Sequence, residues 1–154
     1  MKREKFLWSL TQGHHGALVG ARNIRNRLVS VGVNETHSLL KLSEEVSLFF
    51  EYDLSEHFRG EEDEVLRLFE AHAGPGDADL LKIRKDHEAI ELLAKALTKN
   101  ELQLFADTLT AHIRFEEDIF FPRVEAALTD EEKNILAERL PAYKPGASYC
   151  PLPA

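Results

Sequence analysis

Cysteine is almost missing from these 154 residues, and the single Cys150 has no partner for an internal disulfide. The cysteine count therefore gives no sign of an oxidising compartment, and the cytoplasm is the default expectation. Long apolar runs are missing as well. No window offers 18 consecutive apolar residues, so no membrane-spanning helix is expected, and the segment after the basic Lys2-Arg3-Glu4-Lys5 lacks the apolar run of a signal peptide. Positive charge is in short supply, with 19 basic residues against 27 acidic ones and a net charge of −8. Nucleic-acid binders carry a basic patch or stripe, so no DNA or RNA partner is expected. Strand-like alternation and low-complexity tracts are also absent. What is present is a globular balance, 44% hydrophobic and 30% charged, in a chain of one-domain length that can bury roughly 68–70% of its unfolded surface.

Glycine and proline gather at three places, Ser30 to Asn34, Ala73 to Asp77, and Pro141 onward, and the stretches between read as helix. Positions 7, 10, 14, 17, 21, 24 and 28 form one apolar stripe at helical spacing, with His14 in its middle. A long second helix is expected from Asn34 or Thr36 to about His72, with an irregularity inside it and Val46, Phe50, Leu54, His57, Glu61, Val65 and Leu68 facing inward. The third starts after Asp77 or Asp79, turns Leu80, Ile83, His87, Ile90, Ala94 and Leu97 inward, and ends near Thr98 to Asn100. The fourth follows at once with Phe105, Leu109, His112, Glu116 and Ile119 inside, and Pro122 loosens its last turns. Thr129-Asp130-Glu131-Glu132 has the form of a capping box for a short fifth helix to about Arg139. Residues 1–140 thus read as one domain and 141–154 as a proline-rich tail lying extended on the surface. Trp8, Phe49, Phe50, Phe105, Phe115, Phe120 and Phe121 read as core. Short connections between long helices favour antiparallel neighbours, so the expected fold is an all-α, up-down-up-down four-helix bundle. His87 and His112 fall at the same level across the third connection, and His14 and His57 reach it if the second helix overhangs.

Each of the four helices therefore places a histidine on its inward stripe: His14, His57, His87 and His112. Two of these are followed four residues later by a glutamate, in His57-Phe58-Arg59-Gly60-Glu61 and His112-Ile113-Arg114-Phe115-Glu116. Side chains at i and i+4 share a helix face, so each pair presents an imidazole and a carboxylate to one point. A lone histidine on an apolar stripe is ordinarily a hydrogen-bonded core residue, and a lone His-x-x-x-Glu is ordinarily a surface pair. Six such groups at one level of one core are different, because unpaired buried carboxylates cost on the order of several kcal/mol each. A pair of cations bridged by the carboxylates and capped by the histidines compensates them. The motif order separates this pattern from ferritin-like sites, whose Glu-x-x-His puts the carboxylate first with a spacing of three.

The segments Leu10 to Leu18, Leu54 to Glu62, Asp86 to Ile90 and, most specifically, His112-Ile113-Arg114-Phe115-Glu116-Glu117-Asp118-Ile119-Phe120-Phe121-Pro122 resemble the hemerythrin-like, HHE cation-binding family. The resemblance covers about Leu7 to Leu128. It implies an oxo- or hydroxo-bridged pair of non-haem irons in a four-helix bundle, with His57 and His112 as terminal ligands, Glu61 and Glu116 as bridges, and His14 and His87 completing the set. One departure stands out. Hemerythrins proper carry a second histidine on the third helix, one turn before the position of His87, and here that residue is Ile83. One iron would have a ligand fewer, with an open or water-filled position, which tells against reversible oxygen carriage. Glu88 or Glu91 could fill the gap, or equally be solvated acids.

His14 is favoured over His15 because its flanking apolar residues repeat those of His87, leaving His15 as an outer partner or alternative ligand. The acids at 61–64 and 116–118 read as part ligand and part solvated face, and His37 and His72 as surface or capping residues. Cys150 is a redox handle or incidental. Three functions fit: a protein that binds or senses oxygen, nitric oxide, peroxide or iron itself; a di-iron enzyme such as a peroxidase, ferroxidase or donor to damaged iron centres; or a structural site for zinc. Imidazole and carboxylate without thiolate suit iron or manganese at least as well as zinc.

Overall fold

A computed structural model describes residues 2–31, 35–144 and 152–153. Four long helices and a short fifth account for its architecture, and no strand occurs among the described residues. The first, α1, is Trp8–Ser30, entered through a 3₁₀ turn at Lys5–Leu7. The second, α2, is one rod over 36–73, made of α-helical Thr36–Phe49, Ser55–Gly60 and Arg67–Ala73 with π turns at Phe50–Leu54 and Glu61–Leu66 between them. The third, α3, is Ala78–Leu93. The fourth, α4, covers 99–127 as Lys99–Phe115, a π turn at Glu116–Phe120, and Phe121–Ala127. The fifth, α5, is Asp130–Arg139, closed by a 3₁₀ turn at Leu140–Ala142.

Local chemistry sets the ends of these rods. Gly74, at φ +90°, stops α2 in a conformation that side-chain-bearing residues rarely adopt. Asp77 is the cap of α3, its Oδ1 accepting from the N–H groups of Asp79 and Leu80 at 3.1 Å each. Thr98 with Glu101 and Thr129 with Glu132 form capping boxes that open α4 and α5. The first of these boxes explains why α3 ends at Leu93, several residues before Thr98. The chain must leave the helix to present Thr98 as a cap, so Leu97, expected inside, is 64% exposed.

The core falls into two clusters, and their order along the chain fixes the topology. One contains Ala17, Ile24 and Leu28 of α1, Leu42, Val46 and Phe49 of α2, Ile90 and Ala94 at the end of α3, and Leu102, Phe105 and Leu109 of α4. The other contains Leu7 and Leu10, then Val65, Leu66 and Phe69, then Leu80 and Ile83, then Phe120, Phe121 and Val124. Each helix runs from one cluster to the other in the direction opposite to its predecessor, which is the up-down-up-down bundle. All seven positions of the α1 stripe are buried. Each buried Leu, Ile or Phe contributes about 1.5–3 kcal/mol, and α5 closes the second cluster with Leu136.

The π turns correct the expected inward face of α2 and α4. A π turn hydrogen-bonds five residues back, as Ser55 N–H does to Phe50 O and Phe121 N–H to Glu116 O. The inward step from Phe49 to Leu54 is therefore five residues, so Phe49 is fully buried and Phe50 only partly. Phe69 replaces Leu68 as the buried residue for the same reason, and Phe120 turns inside while Ile119 is 49% exposed. Pro122, which lacks an N–H, sits at the start of the helix after the last π turn. Trp8 is not core either. It is exposed, with its Nε1 donating to Arg3 O at 3.0 Å, and Phe115 is half-buried. Of the tail, residues 141–144 and 152–153 are described, and Leu152 is tucked into the first cluster while its carbonyl accepts from Asn23 Nδ2 at 3.0 Å. Cys150 and the connection at 32–34 lie outside the described residues.

Candidate metal centre

Between the two apolar clusters lies one polar layer. His14 comes from α1, His57 and Glu61 from α2, His87 from α3, and His112 and Glu116 from α4. Five of the six are buried and His57 is partly so. They form two overlapping groups, His14, His57, Glu61 and Glu116 in one and Glu61, His87, His112 and Glu116 in the other, each offering four donor atoms within 4.8 Å of one another. The glutamates belong to both groups. The structure thus brings together every residue singled out by the His-x-x-x-Glu spacing and the inward stripes.

Within the layer, ring nitrogens crowd the carboxylate oxygens, with one long hydrogen bond among them, His14 Nε2 to Glu61 Oε1 at 3.4 Å. His57 Nε2 lies 2.7 Å from Glu61 Oε1, His87 Nε2 3.0 Å from Glu61 Oε2, His14 Nε2 3.0 Å from Glu116 Oε2, and His112 Nε2 3.3 Å from Glu116 Oε1. Yet of the seven fully buried side-chain polar atoms left without a hydrogen-bond partner among the described residues, six belong here: Nε2 of His57, His87 and His112, Oε2 of Glu61, and both carboxylate oxygens of Glu116. Native cores rarely leave such atoms unpaired, at about 1–3 kcal/mol each. Lone pairs directed at a shared centre, not at each other, account for both facts. Ligands about 2.1 Å from one cation and at right angles stand about 3 Å apart, which is the spacing seen. The donor set therefore fits bound metal, with the two carboxylates common to both groups.

An outer ring of acids holds the imidazoles. His14 Nδ1 donates to Glu117 Oε1 and His87 Nδ1 to Glu62 Oε1, both at 2.7 Å, and His112 Nδ1 faces Asp86 Oδ2 at 3.4 Å. A carboxylate behind Nδ1 fixes the tautomer, leaving the Nε2 lone pair free to ligate. Glu117 is itself held by Thr11 Oγ1 at 2.8 Å and by Arg3, and Asp86 by Lys82 at 2.6 Å. Two of these outer acids, Glu62 and Glu117, lie in the runs read from the sequence as part ligand and part solvated face, and Asp86 drew no reading of its own. Their signal was the doubling of the acid in both motifs, His-x-x-x-Glu-Glu. Two of the three π turns, Glu61–Leu66 and Glu116–Phe120, begin at the first glutamate of such a doublet, and the widened backbone lets the first acid enter the layer while the second reaches a histidine on another helix.

Electrostatics follows from this crowding. Burial alone would depress His14 and His112, but the surrounding carboxylates outweigh it, raising His14 well above its ordinary value and pushing His112 up to about 10. Burial likewise works against ionisation of Glu61, yet His57, His14 and His87 hold it well below the usual carboxylate range. Five carboxylates gather here, paired with Arg3 and Lys82 as fixed cations among the described residues, so that with neutral, ligating imidazoles the layer carries a surplus of negative charge suited to bound metal. Phe58 stacks on His87 with ring centroids 4.0 Å apart, and Phe121 on His14 at 5.4 Å, so aromatic rings screen the layer on two sides.

Other candidates fall away. His15, Glu88 and Glu91 are exposed and belong to neither group. Ile83 is fully buried in the second apolar cluster, so the place of the extra helix-three histidine is filled by hydrocarbon. His37 is exposed, and His72 pairs with Glu132 at 2.8 Å. No helix is long and apolar enough to cross a membrane among the described residues.

A four-helix bundle with two His/Glu groups interleaved at mid-height defines a class of metal-binding helical protein. The family described as the hemerythrin HHE cation binding domain matches residues 8–124, and the chain belongs to that family. No curated protein and no solved structure matches it.

Proposed function

We propose that this chain is a non-haem di-iron protein. His14 and His57 would hold one iron, His87 and His112 the other, and Glu61 and Glu116 would bridge both. Its task on this reading is to bind or sense a small ligand, oxygen, nitric oxide or peroxide, or to report iron itself by binding it. The observation that carries the reading is the set of six buried polar atoms without a hydrogen-bond partner among the described residues, on side chains of two groups that share both carboxylates. An iron pair would supply redox and Lewis-acid chemistry toward such a ligand. The chain's own residues do the rest. Glu62, Glu117 and Asp86 orient the imidazoles, Phe58 and Phe121 limit water, and the apolar clusters on either side hold the four helices in register.

Four protein donors per cation leave positions free on a metal that prefers six, which favours an exogenous ligand over a closed structural site. The same feature supports the second reading, a di-iron enzyme acting as peroxidase, ferroxidase or iron-centre donor. Rapid mixing of the reduced, iron-loaded protein with oxygen separates the two. A stable spectral change reversed by removing oxygen supports binding, and fast oxidation with turnover of added peroxide supports the enzyme. Zinc as the sole metal after expression in iron-replete medium would contradict both.

A further inference from the structure

The two halves of the polar layer repeat each other with one difference. His14 and His87 occupy equivalent places, each giving Nδ1 to the second glutamate of a His-x-x-x-Glu-Glu segment. His57 and His112 are likewise equivalent, each four residues before a shared glutamate. The residue before His87 is Asp86, which stands behind His112 Nδ1 at 3.4 Å. The residue before His14 is Gly13, and a Cβ placed there would lie 2.7 Å from His57 Nδ1. The ring of His57 thus occupies the space that a side chain would need, and no carboxylate hydrogen-bonds to its Nδ1 among the described residues, Asp53 acting on the ring through its charge alone. Its side chain is 12% exposed, whereas that of His112 is 0% exposed.

We propose that the two cation positions are unequal: His87 and His112 hold the tight, first-filled position, His14 and His57 hold the labile one, and Asp86 is the positioning residue that sets the difference. The inference rests on the metal-centre reading above. A carboxylate behind a ligating histidine fixes its tautomer and orientation and raises its basicity, and losing one typically costs about 10–100-fold in metal affinity. His57 has the charge of Asp53 nearby but no hydrogen bond to fix its tautomer and orientation, and water is in reach of its ring. The acids behind the other two histidines push the same way. Glu117, behind His14, is shared with Arg3 and Thr11, while Glu62, behind His87, makes no other ion pair among the described residues. Lys82 draws on Asp86, which reduces its effect on His112 without removing it. Under metal shortage the protein then carries one cation, on the α3–α4 side.

The metal-free full-length chain is titrated with Co2+ against a competing chelator, reading bound metal and the visible absorption bands. Wild type fills in two steps whose midpoints differ by about 10–100-fold in free Co2+. His57→Ala removes the weaker step and leaves the first within a few-fold, and His112→Ala removes the first. Asp86→Ala weakens the first step by about 10–100-fold and shifts its bands. Asp86→Asn, which preserves shape without charge, gives the same direction and serves if the alanine variant does not fold. Loss of the same step in His57→Ala and His112→Ala, or an unmoved first midpoint in the Asp86 variants, overturns the inequality while leaving the metal centre standing. A wild-type chain that takes up no Co2+ overturns the metal-centre reading along with it.

Discussion

Three glycines on α1, at 13, 16 and 20, should answer the same substitution in three different ways. Replacing glycine by alanine inside a helix gains about 0.5–1 kcal/mol from backbone entropy. At Gly16 nothing stands within 4 Å of the new Cβ, so the gain is kept. For a chain of this size it raises the thermal midpoint by about 1–4 °C. At Gly20 the Cβ would lie 2.7 Å from Phe49 Cζ and 3.0 Å from its Cε2. Phe49 is fully buried and packed edge-on against Phe105, so its ring has no room to retreat. Overpacking costs about 1–3 kcal/mol, more than the helix gains, and the midpoint falls by several degrees. At Gly13 the neighbour is the ring of His57, at the far end of a flexible and partly exposed side chain. The ring can swing away only by giving up its contact with buried Glu61, so the metal-free Gly13→Ala protein should be stabilised less than Gly16→Ala while metal at the His14/His57 position is weakened. Thermal unfolding of the metal-free chains and metal content of the loaded ones are the assays. A Gly20→Ala protein that melts above wild type, or a Gly13→Ala protein that keeps both metals at wild-type affinity, would refute this reasoning.

Metal removal should destabilise the chain. Each cation at 100 times its dissociation constant adds about 2.7 kcal/mol, so a chelated sample should melt roughly 5–10 °C lower per metal lost, as read by calorimetry. The π turn in α4 predicts that Phe120→Ala costs about 3–5 kcal/mol while Ile119→Ser stays within about 0.5 kcal/mol of wild type; equal costs in denaturant unfolding would argue for an unbroken α-helical register. Asp77→Ala removes the cap of α3 and should cost about 0.5–2 kcal/mol in the same assay. The Arg123 guanidinium and the backbone N–H of Leu80 hold the Asp77 carboxyl below its ordinary value. Its charge therefore stabilises the fold above the unfolded value of about 3.9, and that contribution fades as pH falls through the lower folded value. The advantage of wild type over Asp77→Asn, measured by thermal melting, should accordingly be present at neutral pH and vanish in strong acid.

The bundle was legible in the sequence because its signals are local. The α1 stripe, the caps at Asp77 and Thr129 and the glycine at 74 each act over a few residues, and each appears in the structure where it was expected. The inward histidines were legible for a related reason: a polar residue on an otherwise apolar stripe breaks a pattern that packing imposes. What escaped was register. A π turn adds one residue to a helical step, so it leaves no mark on composition and moves every later residue round the axis, exchanging Phe50 for Phe49 and Ile119 for Phe120 on the inner face. The outer acids escaped because Glu62 and Glu117 look like solvated helix surface until the neighbouring helix brings His87 and His14 to them. The inequality between Gly13 and Asp86 is invisible along the chain, since each matters only through a ring on a different helix.

Elemental analysis of the protein purified from iron-replete medium, alongside Glu61→Ala and Glu116→Ala, bears most directly on the shared-carboxylate centre. Two irons per wild-type chain, with at least one lost in each variant, is the result expected when both glutamates bridge. Iron-free wild-type protein, or metal content unchanged in both variants, would contradict it.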